Sequence, residues 1–380
     1  MHSSQDLSIY VHIPFCARKC LYCDFLSFTA EKDLINRYFD ALSKEICLNA
    51  DTYKDYTVKS VFFGGGTPSL PDAEYICDIL DQLHSKFKFS EDAEITIEMN
   101  PGTASFDKLI KYKAAGINRL SIGAQSFNDD ELKKLGRIHD FSTFIKTYED
   151  AVEAGFENIN IDLMSALPGQ SLETYLSTLK KAVELKPTHI SAYSLIVEEG
   201  TPFFDMELDL PDEDTDRLMY HETKRILAES GYHRYEISNY ALGDGEKNEC
   251  YHNKVYWERG NYLGLGLGAS SMIENVRFSN ITDIMEYIDK LSASESVVSE
   301  KEELSLEAQM EEFMFLGLRL VKGVDTDLFY RQFGKKIEDV YGDVIVKYKT
   351  LGLIETDGAG LRLTEKGLDV SNTVMAEFCF

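Results

Sequence analysis

From residue 7 onward the chain alternates between two hydrophobic rhythms. Short apolar runs predict strands: "LSIYVHI" (7–13), "VKSVFF" (58–63), "EITIEM" (94–99), "RLSIGA" (119–124), "NINIDLM" (158–164) and "HISAYSL" (189–195). Between them, apolar residues recur at three- and four-residue steps, as in "LINRYFDALSKEICL" (34–48) and "SLETYLSTLKKAVEL" (171–185). That spacing predicts amphipathic helices, the second capped by its leading serine. Strands alternating with helices predict a parallel α/β sheet. Six such units are too few for a closed eight-stranded barrel but fit an open one. The candidate motifs follow the strands, as active-site loops do at the C-terminal mouth of an α/β barrel.

After "PFFDMELDLPDED" (202–214) the rhythm changes. A helix, "TDRLMYHETKRILAES" (215–230), leads into a Gly-, Asn- and Tyr-rich stretch over 237–271. Helical patterns return in "SLEAQMEEFMFLGLRL" (305–320), "LFYRQFG" and "IEDVYGDVIVKYKTLGLI", followed by the hairpin pattern "LIETDGAGLRLT" (353–364). Helices followed by a short hairpin predict a small α+β, winged-helix-like module. No Lys/Arg-rich face marks it for DNA, so docking or lid service is the expectation. The expected division is a barrel over 1–214 with its cysteine loop at 16–23, a connecting region over 215–300, and a winged-helix-like domain over 301–380. "LGLGLGAS" (263–270) lacks the G-x-G-x-x-G spacing and the βαβ frame of a dinucleotide site, and reads as close backbone packing.

Composition narrows the class. With 380 residues, the chain exceeds the size at which one core stops growing. Its 44% hydrophobic and 27% charged residues are ordinary for a globular protein. No apolar run approaches the roughly 18 residues of a membrane-spanning helix. "MHSSQDLSIY" lacks the basic start of a secretory signal, so the cytoplasm is the expected compartment. A net charge of −26, from 65 acids against 39 bases, argues against nucleic-acid partners. Seven cysteines, an odd count without export signal, do not suggest a disulfide framework. Cys47 and Cys77 fall in helical stretches and are expected to be buried small hydrophobes.

The remaining chemistry concentrates in "YVHIPFCARKCLYCDF" (10–25). Thiolates are soft ligands for zinc or iron–sulfur clusters. The C-x3-C-x2-C spacing of Cys16, Cys20 and Cys23 lets three sulfurs converge on one four-iron cube. One iron then lacks a protein ligand and is open to the amino and carboxylate groups of a chelating substrate, which suggests S-adenosylmethionine. The alternative is a zinc knuckle completed by a distant His or Cys, although knuckles usually pair two C-x2-C halves.

"CARKCLYC" resembles the signature of radical S-adenosylmethionine proteins. The longer run is similar to the branch that contains oxygen-independent coproporphyrinogen III oxidase and the HemW-type haem chaperones. The resemblance extends to about residue 370 and implies a six-stranded, three-quarter (β/α) barrel. It implies that Cys16, Cys20 and Cys23 hold a [4Fe-4S] cluster. In "FFGGGTPS", where a triple glycine alone is only a turn, it implies that Gly65, Gly66 and Thr67 contact S-adenosylmethionine. Gly64, Gly65 and Gly66 carry no side chain to obstruct a backbone approach. Glu98 resembles the acid that holds the ribose hydroxyls, and Tyr10, Gln125, Arg137 and Asp162 fall at similar cofactor-lining positions. Placement of Glu98 and Asp162 near strand ends weighs against merely solvated or capping carboxylates. Arg137 follows a predicted helix and reads equally as a surface residue.

Three features separate the oxidase from the chaperone. Where the oxidase pattern has a fourth cysteine, this chain has Phe25. Only 15 residues precede Cys16, where the oxidase carries a long arm. "HNKVYW" (His252 to Trp257) matches the H-N-x-x-Y-W motif of HemW-type chaperones. The match implies a haem site in which His252 ligates iron and Tyr256 and Trp257 stack on the porphyrin, with Cys250 a rival thiolate. The bland alternative for His252 is a satisfied structural histidine. The resemblance thus implies a chaperone that binds haem, cluster and S-adenosylmethionine and delivers haem to respiratory proteins. The alternative is a radical enzyme that decarboxylates the propionates of coproporphyrinogen III. Membrane-embedded acceptors would bring peripheral membrane contact, although no basic amphipathic helix announces it.

Overall fold

The computed structural model describes residues 5–358 and 360–379. In chain order the first units are β1 (Asp6–Ile13), α1 (Lys32–Ala50), β2 (Thr57–Gly65), α2 (Ala73–Lys86), β3 (Lys88–Met99), α3 (Phe106–Ala115) and β4 (Arg119–Gln125). There follow α4 (Asp129–Lys134), α5 (Phe141–Glu153), β5 (Asn158–Ser165), α6 (Leu172–Glu184), β6 (His189–Ser194) and α7 (Glu213–Glu229). β1 to β6 lie side by side in sequence order, every neighbouring pair parallel. All six strands expected from the pattern are present. β3 starts earlier than its apolar run because Lys88 and Phe89 pair with Thr57 and Val58 before a register irregularity.

Parallel strands aligned this way bring the ends of β1 to β5, and with them Ile13, Gly65, Glu98, Gln125 and Asp162, to one mouth. The helices cover the outer face through residues such as Tyr38, Leu42, Ile79, Tyr112, Phe144 and Leu179, all in one apolar core with the strands. Ser171 caps α6 as expected: its hydroxyl accepts from the Thr174 N–H at 3.2 Å, and Thr174 returns the bond in a capping box. One cysteine expectation fails. Cys47 is exposed and Cys77 only half-buried. Ile46 takes the buried face of α1, and one residue further turns the side chain by about 100° towards solvent.

The sheet grows beyond the barrel at both edges. β7 (Tyr232–Arg234) and β8 (Asn239–Leu242) continue it antiparallel after β6. After α8 (Tyr251–Trp257), β9 (Tyr262–Leu265) pairs parallel with β1, from Ser8↔Tyr262 to Val11↔Leu265. β10 (Ser270–Ile273), β11 (Val276–Asn280), α9 (Ile284–Ser292) and β12 (Val298–Glu303) complete that side, the three strands antiparallel. The "LGLGLG" run packs backbone against backbone, as expected. A Cβ on Gly264 would fall 2.3 Å from the Ser270 oxygen, and one on Gly266 2.7 Å from the His12 carbonyl.

The last part holds α10 (Leu306–Gly317), β13 (Val324–Asp325), α11 (Thr326–Phe333), α12 (Ile337–Thr350), β14 (Ile354–Asp357) and β15 (Gly360–Leu363). Its three-stranded antiparallel sheet and its own apolar core, with Phe313, Phe329, Tyr341, Ile354 and Leu363, give the α+β module that the hairpin pattern predicts. No helix among the described residues is long and apolar enough to cross a membrane.

Candidate cluster and cofactor site

The cysteine loop leaves β1 at Pro14 and is fastened at both ends. Cys16 N–H donates to Phe28 O at 3.0 Å, and Phe28 N–H returns to Pro14 O at 2.9 Å. Phe15 anchors this clamp, edge-on to Phe28 and Tyr38 in the core. Further along, Leu21 N–H reaches Leu135 O at 3.1 Å, and Arg18 Nη2 donates to the carbonyls of Gly136 at 2.6 Å and Arg137 at 3.0 Å. Cys16 is buried, while Cys20 and Cys23 are half-buried. Burial pushes the Cys23 thiol up; a Phe25 backbone N–H opposes this, and the nearby Cys20 and Cys16 add to it. Among the described residues no three His, Cys, Asp or Glu side chains stand converged for an ion. The loop presents donors without a ready-made cage.

The glycine run is zipped to this loop. Gly66 N–H donates to Ile13 O and Thr67 N–H to Phe15 O, both at 2.8 Å. A Cβ on Gly66 would meet Phe15 O at 2.8 Å, and one on Gly65, at φ +113, would meet the His12 ring at 2.6 Å. On Gly64 it would meet the Tyr10 ring at 2.8 Å and both Glu98 Oε2 and Phe62 at 3.1 Å. The backbone conformation at Gly65 and the Phe15 backbone beside Gly66 therefore require glycine at those two positions, independently of any ligand.

Arg137 is not at the surface. It lies 9% exposed, with Nη1 3.7 Å from Cys20 Sγ and Nη2 donating to Asn100 Oδ1 at 2.8 Å and to Gly123 O. Asn100 Nδ2 donates to Thr67 Oγ1 at 2.8 Å, and Thr67 Oγ1 lies 3.6 Å from Cys16 Sγ. A side-chain relay thus runs from Cys16 through Thr67, Asn100 and Arg137 to Cys20. Asn100, although within "TIEMNPG", has no expected role in the sequence reading. Its signal was its place directly after a barrel strand.

Beside the relay lies a chamber with two half-buried carboxyls. Glu98 Oε2 accepts the Gly65 N–H at 3.2 Å, and burial, followed by the Asp162 charge, pushes its carboxyl up to about 8. Asp162 is likewise raised by burial, against donors that include Asn160 at 2.7 Å and Ser121 at 3.3 Å. Tyr10 donates to His12 Nδ1 at 3.1 Å. Gln125, at φ +65, accepts from the Tyr193 hydroxyl at 3.2 Å. Two half-buried carboxyls near polar strand ends, both raised by burial, would gain their charge beside a cation and so suit one that also carries hydroxyl groups, as the sulfonium and ribose of S-adenosylmethionine would.

The H-N-x-x-Y-W segment lies elsewhere. It forms α8, whose first amides are capped by Glu94 of β3, which accepts from Tyr251 N–H at 3.0 Å and His252 N–H at 3.1 Å. His252 is enclosed by partners from its own chain. Its ring is 1% exposed, with Nδ1 2.8 Å from Ser60 Oγ and Nε2 2.9 Å from the Tyr256 hydroxyl. Because Ser60 donates to Ser8, its oxygen accepts from Nδ1–H, and Nε2 accepts from Tyr256. Burial drives the imidazole down to about 3. Tyr256 and Trp257 do not share one open face: Tyr256 stands edge-on to His252 and Tyr262, whereas Arg319 lies 4.2 Å over Trp257. Cys250 is fully buried, its thiol 3.5 Å from Glu94 and pushed up to about 12 chiefly by burial.

An open parallel barrel with three cysteines on the loop after its first strand defines a member of the radical S-adenosylmethionine class. The Radical SAM superfamily model matches residues 10–182, and the HemN C-terminal domain model matches residues 304–370. More narrowly, this chain belongs to the family of the heme chaperone HemW. It is 36% identical over 376 residues to "Heme chaperone HemW" of Bacillus subtilis, covering 98% of both chains. It is 37% identical to the protein of that name in Lactococcus lactis, covering 98% of this chain and 97% of that one. Among solved structures, coproporphyrinogen III oxidase (HemN) from Escherichia coli, described as a radical SAM enzyme, superposes with TM-score 0.87 at 26% identity, over 98% of this chain and 90% of that one.

The superfamily implies a [4Fe-4S] cluster and S-adenosylmethionine, and the residues present fit both. Cys16 and Cys20 each face a hydrogen-bond donor, as anionic sulfur ligands require, and Glu98 and Asp162, both raised by burial, are carboxyls that a cationic cofactor would hold in the charged form.

Proposed function

We propose that this chain is a haem chaperone: it holds a [4Fe-4S] cluster on Cys16, Cys20 and Cys23, binds S-adenosylmethionine beside it, and delivers haem to respiratory haem proteins. The observation that carries this reading is the match, across nearly the whole chain, to proteins named heme chaperone HemW. Phe25, 70% exposed at the position of the oxidase's fourth cysteine, adds support. A cluster bound here supplies an open iron and one-electron chemistry. The chain's part is to hold and orient. Glu98 holds ribose hydroxyls, and Tyr10, Gly65, Gly66, Thr67, Gln125, Arg137 and Asp162 complete the cofactor chamber, Thr67 and Arg137 also facing the sulfurs.

The proposed haem contacts are those of the motif helix, His252, Tyr256 and Trp257. In the geometry described, iron ligation through Nε2 costs His252 its bond from Tyr256 and requires its buried ring to be uncovered, so haem capture there rearranges the side chains around it. The proposal takes residues 1–214 as the barrel unit, 215–300 as the connecting region that carries the motif, and 301–380 as a docking module for acceptors. It places the work in the cytoplasm, with peripheral membrane contact where acceptors are embedded.

The TM-score of 0.87 to coproporphyrinogen III oxidase favours a second reading as that enzyme. One experiment separates them. Anaerobically reconstituted protein is incubated with coproporphyrinogen III, S-adenosylmethionine and a reductant, while a second sample is titrated with haem and mixed with a haem-depleted respiratory protein. Haem transfer without protoporphyrinogen formation supports the chaperone; protoporphyrinogen formation establishes the oxidase.

A further inference from the structure

The amide of Asn100 can face only one way. β3 stops at Met99, and the following turn is closed by Thr103, whose N–H and hydroxyl both donate to Asn100 O, at 3.1 Å and 2.7 Å. On the side-chain end, Arg137 Nη2 lies 2.8 Å from Oδ1, and Thr67 Oγ1 lies 2.8 Å from Nδ2. A guanidinium only donates, so the amide oxygen must face Arg137 and its NH2 must face Thr67.

Both neighbours are thereby aimed. Thr67 Oγ1 accepts from Asn100, which leaves its own proton for Cys16 Sγ at 3.6 Å. Arg137 has Nη2 held by Asn100 and Gly123, which leaves Nη1 directed at Cys20 Sγ at 3.7 Å. Cys23 receives instead the backbone N–H of Phe25. Hydrogen bonds to ligand sulfurs stabilise the electron-rich, reduced form of an iron–sulfur cluster and so raise its potential.

We propose that Asn100 is a positioning residue for the cluster: one amide orients the Thr67 hydroxyl onto Cys16 and the Arg137 guanidinium onto Cys20, and through these two donors it sets the reduction potential. The inference rests on the cysteines being cluster ligands.

The test is an anaerobic redox titration followed by EPR of the reduced cluster, in wild type, Asn100→Ala, Asn100→Asp, Thr67→Val and Thr67→Ser. The potential is expected to fall in Asn100→Ala. In Asn100→Asp it falls further, because a carboxylate adds negative charge and draws the Thr67 proton away from Cys16. Thr67→Val lowers it by the Cys16 arm alone, while Thr67→Ser keeps the wild-type value. Wild-type potentials in loaded Asn100→Ala and Thr67→Val overturn the inference. Where Asn100→Ala holds no cluster, loaded Asn100→Asp decides: a wild-type potential there overturns the inference. A wild type that takes up no cluster overturns the ligand assignment itself.

Discussion

The guanidinium of Arg137 stands 3.7 Å from the sulfur of Cys20, although 117 positions separate the two residues. The same side chain satisfies Asn100 Oδ1 and the Gly123 carbonyl, so it braces the mouths of β3 and β4 while facing the cysteine loop. Arg137→Met keeps the length of the stem and removes every donor. Hydrogen bonds to charged groups are worth about 1.5–3 kcal/mol, and a buried carbonyl and a half-buried amide oxygen are left bare. The variant should fold with reduced stability and lose iron and sulfide during anaerobic gel filtration. Full retention of both would contradict the bracing role.

The glycine run gives a paired prediction. At Gly66 a methyl group meets the Phe15 carbonyl, which is itself clamped by hydrogen bonds and cannot yield. Gly66→Ala should cost about 2–4 kcal/mol in chemical denaturation, at the upper end of single substitutions. At Gly64 the methyl group meets side chains instead, those of Tyr10, Phe62 and Glu98. Gly64→Ala should fold and show a weakened response to S-adenosylmethionine. Equal stability of the two variants would show that the distinction between backbone and side-chain neighbours does not matter here.

Glu98→Gln tests the chamber directly. The substitution keeps shape and an acceptor for Gly65 N–H but removes the group that a cationic cofactor would ionise and one ribose acceptor. Affinity for S-adenosylmethionine, measured by equilibrium dialysis, should fall about tenfold, the loss of roughly one charge-assisted hydrogen bond. An unchanged dissociation constant would remove Glu98 from the cofactor site.

A pH dependence follows from His189. It is fully buried, with Nδ1–H on Asn160 Oδ1 at 2.6 Å and Nε2 accepting from Tyr235 at 2.9 Å, and burial holds its pKa well below 6.5. The folded state keeps this ring neutral, whereas the unfolded chain protonates it below about pH 6.5. Stability is therefore intact above that value and falls with the pH below it, by up to about 1.4 kcal/mol per pH unit for this group. Urea unfolding at pH 7.5 and 5.5 should show a smaller loss in His189→Gln than in wild type. An identical pH slope in both would show that the ring is not held neutral.

Much of this was legible in the sequence because it is local. The six barrel strands announced themselves by apolar runs, and Ser171 by its place before a helical rhythm. The cysteine spacing carried the chemistry within eight residues. What escaped is non-local. The pairing of β9 with β1 is hidden: "YLGLGLG" does alternate with a strand's period, but its glycines suit a close-packed turn equally and nothing local names β1 as the partner. Glu94 capping α8 and Asn100 joining Thr67 to Arg137 depend on elements brought together only by the barrel. The burial of His252 and the exposure of Cys47 depend on which face of a helix meets the sheet. Residue type alone does not state this.

The central claim is that Cys16, Cys20 and Cys23 hold a four-iron cluster with one iron open to S-adenosylmethionine. EPR of the anaerobically reconstituted and reduced protein, before and after addition of that cofactor, tests it most directly. The account predicts an iron–sulfur signal that changes when S-adenosylmethionine is added and is missing in Cys20→Ser. Zinc in place of iron, or a signal indifferent to the cofactor, would contradict it.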